Sequence, residues 1–309
     1  MTPTDNTTTR PPVGIIGIGN MGGGMAANLL TQGWPVHVHD LDAEKIRVFK
    51  DLGAVAHASP AVIAMNCVAL IVCVVDADQT ESVLFGEQGA AAQMGAGHTV
   101  LLCPTIAPQD VERFAQALGE RGVATIDAPM SGGPLRARDA SMSLMLAAPD
   151  AVMAANLALL QALSTQRFHV SQRVGDGART KLVNNLLAGI NLVGAAEALA
   201  MAQRMGLDLG RTLEVIEQSS GQSWIGSDRM RRVLVNEGEG DYAPRAHMTL
   251  LEKDTRLAVV AGAAAGFTGP LGASASAVFA AASASGLAGE DDAAVFKLLA
   301  GAPGQRPAP

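Results

Sequence analysis

The sequence predicts an α/β domain built on a parallel sheet, followed by an all-α domain. Three observations carry this expectation. In the first half of the chain, short β-branched runs alternate with helical segments at the spacing of βαβ units. The first of these runs empties into a glycine-rich turn, Gly17-Ile-Gly19-Asn20-Met21-Gly22, at the start of a helical stretch. After Gly175 no run reads as a strand, and apolar residues recur at helical spacing instead.

Taken in order, residues 13–19, 35–40, 68–74 and 99–103 read as strands, and 20–32, 41–52 and 109–118 as helices. Residues 125–129, 142–147 and 166–170 read as further strands closing the sheet. A long helix follows over 180–205, with Val183, Leu186, Leu187, Ile190 and Val193 at helical spacing and Gly206 as its C-cap. Further helices are expected at 210–218, 225–235, 247–265, 272–285 and 291–299. The domains are therefore placed at 13–174 and 175–309, after a Thr- and Pro-rich tail, 1–12, that reads as disordered. The long helix begins at the domain junction, where clefts usually lie.

Composition narrows the function. With 22 basic against 29 acidic residues, the net charge of −7 is ill suited to nucleic acid, which needs clustered Lys and Arg. The three cysteines, Cys67, Cys73 and Cys103, form no C-x-x-C pair and no Cys/His cluster. Neither a metal site nor a disulfide framework is expected, and a reducing cytoplasm is the simplest compartment. The tail lacks the apolar core of a signal peptide. The Ala-rich stretch 257–265 is shorter than the roughly 20 apolar residues a bilayer span needs. It reads as a buried helix of small residues.

The glycine-rich turn has a specific chemistry. Gly17, Gly19 and Gly22 fit G-x-G-x-x-G between a strand and a helix. The first glycine allows the tight turn, the second lets backbone approach a pyrophosphate, and the third lets the helix pack closely on the sheet. The helix N-terminus adds unpaired N–H groups and a positive dipole end. Asp40 ends the next strand about 20 residues on, where the dinucleotide fingerprint needs an acid to bind the adenosine ribose. These features predict a Rossmann-type dinucleotide-binding domain. A carboxylate here repels the 2′-phosphate of NADP, and the next residue is Leu41 rather than an Arg. NAD is therefore expected over NADP. His37 and His39 alternate with Val36 and Val38 and read as packing or surface residues.

Three further segments stand out. Asp127-Ala-Pro-Met-Ser131-Gly132-Gly133 runs a strand into a turn whose N–H groups can bind a carboxylate; a flexible turn is the alternative. Gly175-Asp-Gly-Ala-Arg-Thr-Lys181-Leu-Val-Asn184-Asn185 opens the long helix and puts Lys181 and Asn185 on one face. The bland alternative is a Lys snorkelling near the helix start. Leu251-Glu-Lys253-Asp254-Thr-Arg-Leu257 carries a Lys–Asp pair that also suits a solvated turn.

Together, in this order, these segments resemble the β-hydroxyacid dehydrogenase family of 3-hydroxyisobutyrate dehydrogenases, tartronate semialdehyde reductases and their relatives. The family's first motif matches Gly17 to Asn28, including Met21, Met25 and Ala26. Its D-A-P-V-S-G-G motif matches Asp127 to Gly133, with Met130 for Val. Its G-x-G-x-x-x-K-x-x-N-N motif matches Gly175 to Asn185, and its K-D-x-x-L motif Lys253 to Leu257. The resemblance runs from about Val13 to Leu299.

The resemblance implies roles. Lys181 is the catalytic residue. Ser131, Gly132, Gly133 and Asn185 hold the substrate, with Asn184 nearby. Apart from the resemblance, Trp224 reads as a cleft wall or lid, with a core Trp as the alternative. Gly17, Gly19, Asn20, Met21, Gly22, Asp40, Gln79, Thr105 and Lys253 meet the cofactor. Val74 and Val75 stand where the family usually has Leu-Pro at the same place. The stretches Asp76 to Gly86, Asn185 to Gly189 and Ser219 to Trp224 are similar to the L-threonate dehydrogenase branch. Cys103-Pro104 and Arg136-Ala-Arg-Asp depart from it.

The reaction so implied is reversible hydride transfer between NAD and a small hydroxy acid, L-threonate or another short sugar acid. Lys181 accepts the hydroxyl proton. A base works best with a pKa near the operating pH, and desolvation moves a Lys that way while a substrate carboxylate opposes it. An alkaline optimum for oxidation is expected. Tartronate semialdehyde reductase and 3-hydroxyisobutyrate dehydrogenase are the alternatives within the family. Outside it stand a non-catalytic dinucleotide sensor and an imine reductase. A homodimer or homotetramer, with neither nucleic acid nor membrane as partner, completes the expectation.

Overall fold

Short β-branched and aliphatic runs pair into a nine-stranded sheet in the first part of the chain, which the computed structural model describes over residues 10–235 and 240–301. Most of the expected tail, 1–12, thus lies outside the described residues. The elements of this part are β1 (Val13–Ile16), α1 (Asn20–Thr31), β2 (Val36–His39), α2 (Ala43–Asp51), β3 (Val55–Ala56), α3 (Pro60–Ala64), β4 (Ala69–Val72) and α4 (Ala77–Phe85). There follow β5 (Thr99–Leu102), α5 (Pro108–Gly119), β6 (Ala124–Asp127), β7 (Met130–Ser131), α6 (Gly133–Arg138), β8 (Ser143–Ala147), α7 (Asp150–Ala155), α8 (Leu157–Leu163) and β9 (Gln166–Ser171).

The strand order is β3-β2-β1-β4-β5-β6-β8-β7, with β9 paired to β8. From β3 to β6 every pairing is parallel. The chain reverses direction across the sheet between β1 and β4, and open α/β sheets bind ligands in the crevice at such a switch point. Here that is the end from which the glycine-rich turn leaves β1. The parallel reading fails at the far edge. There β8 runs antiparallel to both β6 and β7, because the chain doubles back through α6.

Both faces of the sheet are buried, as parallel sheets require. Ile15, Val38, Leu101 and Ile126 pack on one side with Met25 and Leu29 of α1 and Leu159 and Leu160 of α8. Ile16, Leu70, Val72 and Leu102 pack on the other with Ile63 of α3 and Phe114 of α5. Neighbours such as Ile15 and Ile16 therefore face opposite layers, the period-two signature of a strand. His37 and His39 are half-buried on β2; His37 Nδ1 lies 2.7 Å from Nε2 of His57.

Beyond Ser171 the described residues form helices, apart from a lone bridge between His247 and Asp291. These are α9 (Asp176–Arg204), α10 (Leu209–Glu217), α11 (Trp224–Val233), α12 (Met248–Ala264), α13 (Pro270–Ala282) and α14 (Val295–Ala300). The chain divides into two compact units, one extending to Lys181 and the other starting at Leu182. The core of the second joins Leu192, Ala196 and Leu199 of α9 to Met230, Met248, Phe279 and Val295.

Two expectations about these helices change. On α9, Val183 is 70% and Leu187 58% exposed, whereas Lys181 and Asn185 are buried at 7% and 8%. The polar pair is enclosed where Val183 and Leu187 are not, while Leu186 and Ile190 are half-buried and Val193 is buried at 9%. In the Ala-rich stretch 257–265 only Ala258 is buried, so it is not the enclosed helix its composition suggests.

Candidate active site

The turn after β1 is forced by close backbone contacts. Gly17 has φ +88°, and a Cβ there would lie 2.5 Å from the Cys73 carbonyl. A Cβ on Gly22 would lie 1.9 Å from the Gly17 carbonyl, which no side chain could relieve. Gly19, at the N-cap of α1, has open space where a Cβ would project, and no side chain caps that helix. Asn20, Met21 and Gly22 form the first turn of α1. The result is a bare helix N-terminus facing open space, which suits a diphosphate.

Asp40 closes the turn from β2. Its Oδ2 accepts the Ile18 N–H at 2.8 Å, and its Oδ1 accepts the Asp42 N–H at 2.9 Å. Each oxygen keeps lone-pair capacity for a further donor, as a ribose hydroxyl would be. Leu41 is fully exposed beside it, and the next acids are Asp42 and Glu44. The residues fit an NAD-type dinucleotide, and a 2′-phosphate there would meet negative charge.

The ends of β4 and β5 complete this edge of the first unit. Val74 and Val75 follow β4, and Gln79 on α4 accepts the Val75 N–H through Oε1 at 3.1 Å. Asp76 caps α4 by accepting the Gln79 N–H at 2.8 Å. Thr105 follows β5. Burial pushes the thiols of Cys67 and Cys73 up to about 12, and that of Cys103 well above its ordinary value. None offers a thiolate near neutral pH.

Next to these lie the Ser131 turn and the start of α9. Ser131 ends β7, and Gly132 and Gly133 carry the chain into α6 at φ +127° and +76°. Four residues upstream, Asp127 is 1% exposed. Its Oδ2 accepts the N–H groups of Gly175 and Ala178, each at 2.9 Å. Burial raises Asp127 to about 7, against the pull of the Ala178, Gly175 and Gly177 N–H groups. With this cap α9 starts at Asp176, earlier than the expected 180. Lys181 follows within two turns. It is enclosed, so the snorkelling alternative fails.

In the second unit, two of the singled-out segments meet. Asn185 Nδ2 donates to Asp254 Oδ2 at 2.6 Å, and Asn184 Nδ2 donates to Asn185 Oδ1 at 3.1 Å. Lys253 Nζ lies 2.8 Å from Asp254 Oδ1. Asn185 is thus oriented by a buried carboxylate, and Lys253 is tethered to the same group. Trp224 is exposed at the start of α11, so it is not a core Trp; Ser223 caps that helix by accepting the Gly226 N–H at 3.1 Å. Trp224 lines a cavity of about 490 Å³ with Gln222, Ser227, Asp228 and Arg231, which neither Asn185 nor Lys253 lines.

α11 also carries a buried charge cluster. Arg232 Nη2 donates to Asp291 Oδ1, and Arg229 donates to Asp292 through Nε at 2.5 Å and Nη2 at 3.1 Å. Burial pushes Asp291 up, but Arg232 and the N–H groups of Arg245 and Ala293 outweigh it and hold it at about 2. For Asp292 burial wins over Arg229 and raises it to about 6.

Asp127 and Asp254 were not singled out by the sequence as functional residues. Each lies inside a motif that was, but its partners are 48 to 69 residues away and leave no local signature.

Comparison with known proteins agrees with this layout. Residues 12–172 match the model of the NAD binding domain of 6-phosphogluconate dehydrogenase. Residues 175–299 match that of the NAD-binding domain of NADP-dependent 3-hydroxyisobutyrate dehydrogenase. The chain is 37% identical to an L-threonate dehydrogenase of Cupriavidus necator, over 94% of this chain and 96% of that protein. It is 33% identical to a 3-hydroxyisobutyrate dehydrogenase of Pseudomonas aeruginosa, over 84% and 88%. A solved structure of a 3-hydroxyisobutyrate dehydrogenase from Salmonella typhimurium superposes with a TM-score of 0.86 at 34% identity, covering 93% of this chain and 99% of that one.

Proposed function

Because the chain belongs to the β-hydroxyacid dehydrogenase family, and so is an oxidoreductase using an NAD-type cofactor, we propose that it oxidises a small hydroxy acid of the L-threonate type. Lys181 carries this reading. It is enclosed near the start of α9, with the buried Asn185 four residues on. Both residues stand at the positions of the family's Lys and Asn in the run from Gly175 to Asn185. A retired dinucleotide sensor has no need of this Lys, and an imine reductase usually lacks this motif.

The N–H groups and hydroxyl of Ser131-Gly132-Gly133 hold the substrate carboxylate. Asn185, steadied by Asp254, orients the reacting hydroxyl. Lys181 takes the hydroxyl proton during oxidation and returns it during reduction. A bound NAD would supply the acceptor for the hydride leaving the carbinol carbon. Gly17, Gly19 and the first turn of α1 (Asn20, Met21, Gly22) hold its diphosphate, and Asp40 its ribose. Val74, Val75, Gln79, Thr105 and Lys253 line the rest, and Trp224 walls the substrate side. The acids at Asp40, Asp42 and Glu44 support NAD over NADP.

Initial rates with NAD and NADP against L-threonate, glycerate, 3-hydroxyisobutyrate and 3-hydroxypropionate test the reading. L-Threonate with NAD is expected to be fastest. A preference for NADP overturns the role given to Asp40, and no rate with any of the four overturns the function. Lys181→Ala should lower kcat by roughly 100-fold or more while leaving NAD affinity within about twofold. The protein is read as soluble, cytoplasmic and homo-oligomeric through its helical unit. Exposed Val260, Phe267 and Leu271 support that association, and a monomer in light scattering would overturn it.

A further inference from the structure

We propose that Asp127 is a positioning residue for the hydride-transfer site: from the end of β6 it caps the first turn of α9 and thereby fixes where Lys181 stands. This rests on the reading of Lys181 as the group that moves the proton.

The start of α9 is built around that one side chain. A helix leaves its first N–H groups without internal partners. Here Gly175 and Ala178 give theirs to Asp127 Oδ2. The acceptor stands on a strand end 48 and 51 residues upstream, not on a neighbouring Ser, Thr or Asp as in an ordinary cap. The approach is so close that Gly177 cannot carry a side chain: a Cβ there would lie 2.9 Å from Asp127 Oδ2 and 2.7 Å from the Met145 carbonyl. Gly175, at φ +100°, turns the chain so that its own N–H points inward. Gly177 thus makes room for Asp127 and the Met145 carbonyl, while Gly175 is required by its positive φ and by Arg179 and Glu112 beside it.

The outer side of the same turn is held separately. Arg179 donates to Glu112 on α5 at 2.7 Å and to Asp176 at 3.2 Å. The inner anchor is Asp127, and Lys181 stands three residues after Ala178 on the rigid helix it anchors. The same residue ends the strand leading to the Ser131 turn. That segment is registered by Ala128 N–H on the Leu102 carbonyl at 2.8 Å and Met145 N–H on the Pro129 carbonyl at 2.9 Å. One carboxyl therefore ties the turn proposed to hold the substrate acid to the helix proposed to move its proton. A buried carboxyl is costly, and a plain packing site would be filled more cheaply by an apolar residue.

Four variants test this, using the hydroxy acid the parent oxidises fastest, with NAD affinity read by fluorescence titration. Asp127→Ala should lower kcat by roughly 30- to 100-fold, since a displacement of about 1 Å at the reacting groups costs on that order. KM should change less than about threefold and NAD Kd less than about twofold, because the α1 turn is held by other contacts. Asp127→Asn keeps a carbonyl oxygen for the same N–H groups and should restore kcat to within roughly fivefold of the parent. Gly177→Ala, which wedges a methyl group between the cap and an unmutated Asp127, should reproduce the loss. It decides the matter if Asp127→Ala does not fold.

Parental kcat in Asp127→Ala or Gly177→Ala, beside a dead Lys181→Ala, overturns the positioning role alone. An Asp127→Asn variant as slow as Asp127→Ala, or NAD affinity falling in step with kcat, overturns it too. Parental kcat in Lys181→Ala overturns the catalytic reading, and with it the need for positioning.

Discussion

Asp127 in the first unit and Asp291 in the second are almost equally inaccessible, at 1% and 0% exposed, but their partners differ in kind. Asp127 accepts only from neutral backbone N–H groups at a helix start. Asp291 also accepts backbone N–H groups, from Arg245 at 2.8 Å and Ala246 at 3.2 Å, but it faces the Arg232 guanidinium as well. Dipoles alone do not offset the loss of water, so Asp127 rises to about 7. At Asp291 the Arg232 guanidinium acts together with the N–H groups of Arg245 and Ala293, and Asp291 falls to about 2, whereas Arg229 alone does not offset burial at Asp292. The first is a hydrogen-bonding anchor that titrates near neutrality. The second is an ion pair locked over the whole physiological range.

The largest break in this comparison comes from removing the guanidinium. Arg232→Ala leaves Asp291 with its backbone N–H donors and, at 4.0 Å, the Arg229 guanidinium that is already paired to Asp292. Breaking a buried pair by deleting one partner costs about 3–5 kcal/mol. Urea unfolding followed by Trp224 fluorescence, in a Trp34→Phe background, should show a loss of that order. A loss below about 1 kcal/mol would mean the backbone donors suffice and that the contrast between the two sites is not one of charge.

The pH dependence of stability should slope in opposite directions at the two sites. Asp127 is raised in the folded state. Its contribution is full below an unfolded carboxylate pKa of about 4 and is lost as pH rises through about 7. Asp291 is depressed. Its contribution is present above about 4 and is lost as pH falls towards about 2. Asp292, raised by burial to about 6, slopes like Asp127. Asp127→Asn removes one of these titrations without removing the acceptor. The variant should therefore gain on the parent between pH 4 and pH 7.5, by on the order of 1–4 kcal/mol, and then level off. Thermal unfolding of both proteins across that range measures it. A constant difference would place Asp127 at an ordinary carboxylate value.

Both carboxylates also mark where the sequence stops being legible. The alternation of strands and helices, the turn at Gly17, Gly19 and Gly22, and the helical second half all follow from local pattern. So do the first six strands apart from β3, whose two residues, Val55 and Ala56, are too short for any periodicity to register. The direction of β8 is not local either: Ser143 to Ala147 has the same alternation whether it runs parallel or antiparallel. Helix α4 was missed because its Asp76 cap was visible only as part of a family resemblance. At the candidate site, Lys181, Ser131 and Asn185 stood out by type and spacing. The residues that hold them, Asp127 and Asp254, did not, because a hydrogen bond across tens of residues has no period. The exposure of Val183 and Leu187 beside buried Lys181 and Asn185 inverts what hydropathy suggests, as a helix that serves a site can.

The smallest expected effect separates charge pairing from burial within two adjacent residues of α11. Arg231 donates to Glu217 through Nε at 2.6 Å and Nη2 at 2.7 Å, a bidentate geometry as good as any in the protein. Its side chain is 67% exposed, whereas that of Arg232 is 8% exposed. The Glu217 side chain is 10% exposed, so water reaches this contact from the Arg231 side, whereas it cannot reach Asp291. Exposed pairs are worth about 0–1 kcal/mol and buried ones more, so Arg231→Ala should cost about 1 kcal/mol, less than Arg232→Ala in the same urea experiment. Its loss should also shrink in high salt, whereas that of Arg232→Ala should barely move. If the two variants lose the same stability, it is the pairing geometry rather than the exclusion of water that sets the cost. The contrast between Asp127 and Asp291 would then have to be drawn from hydrogen-bond number alone.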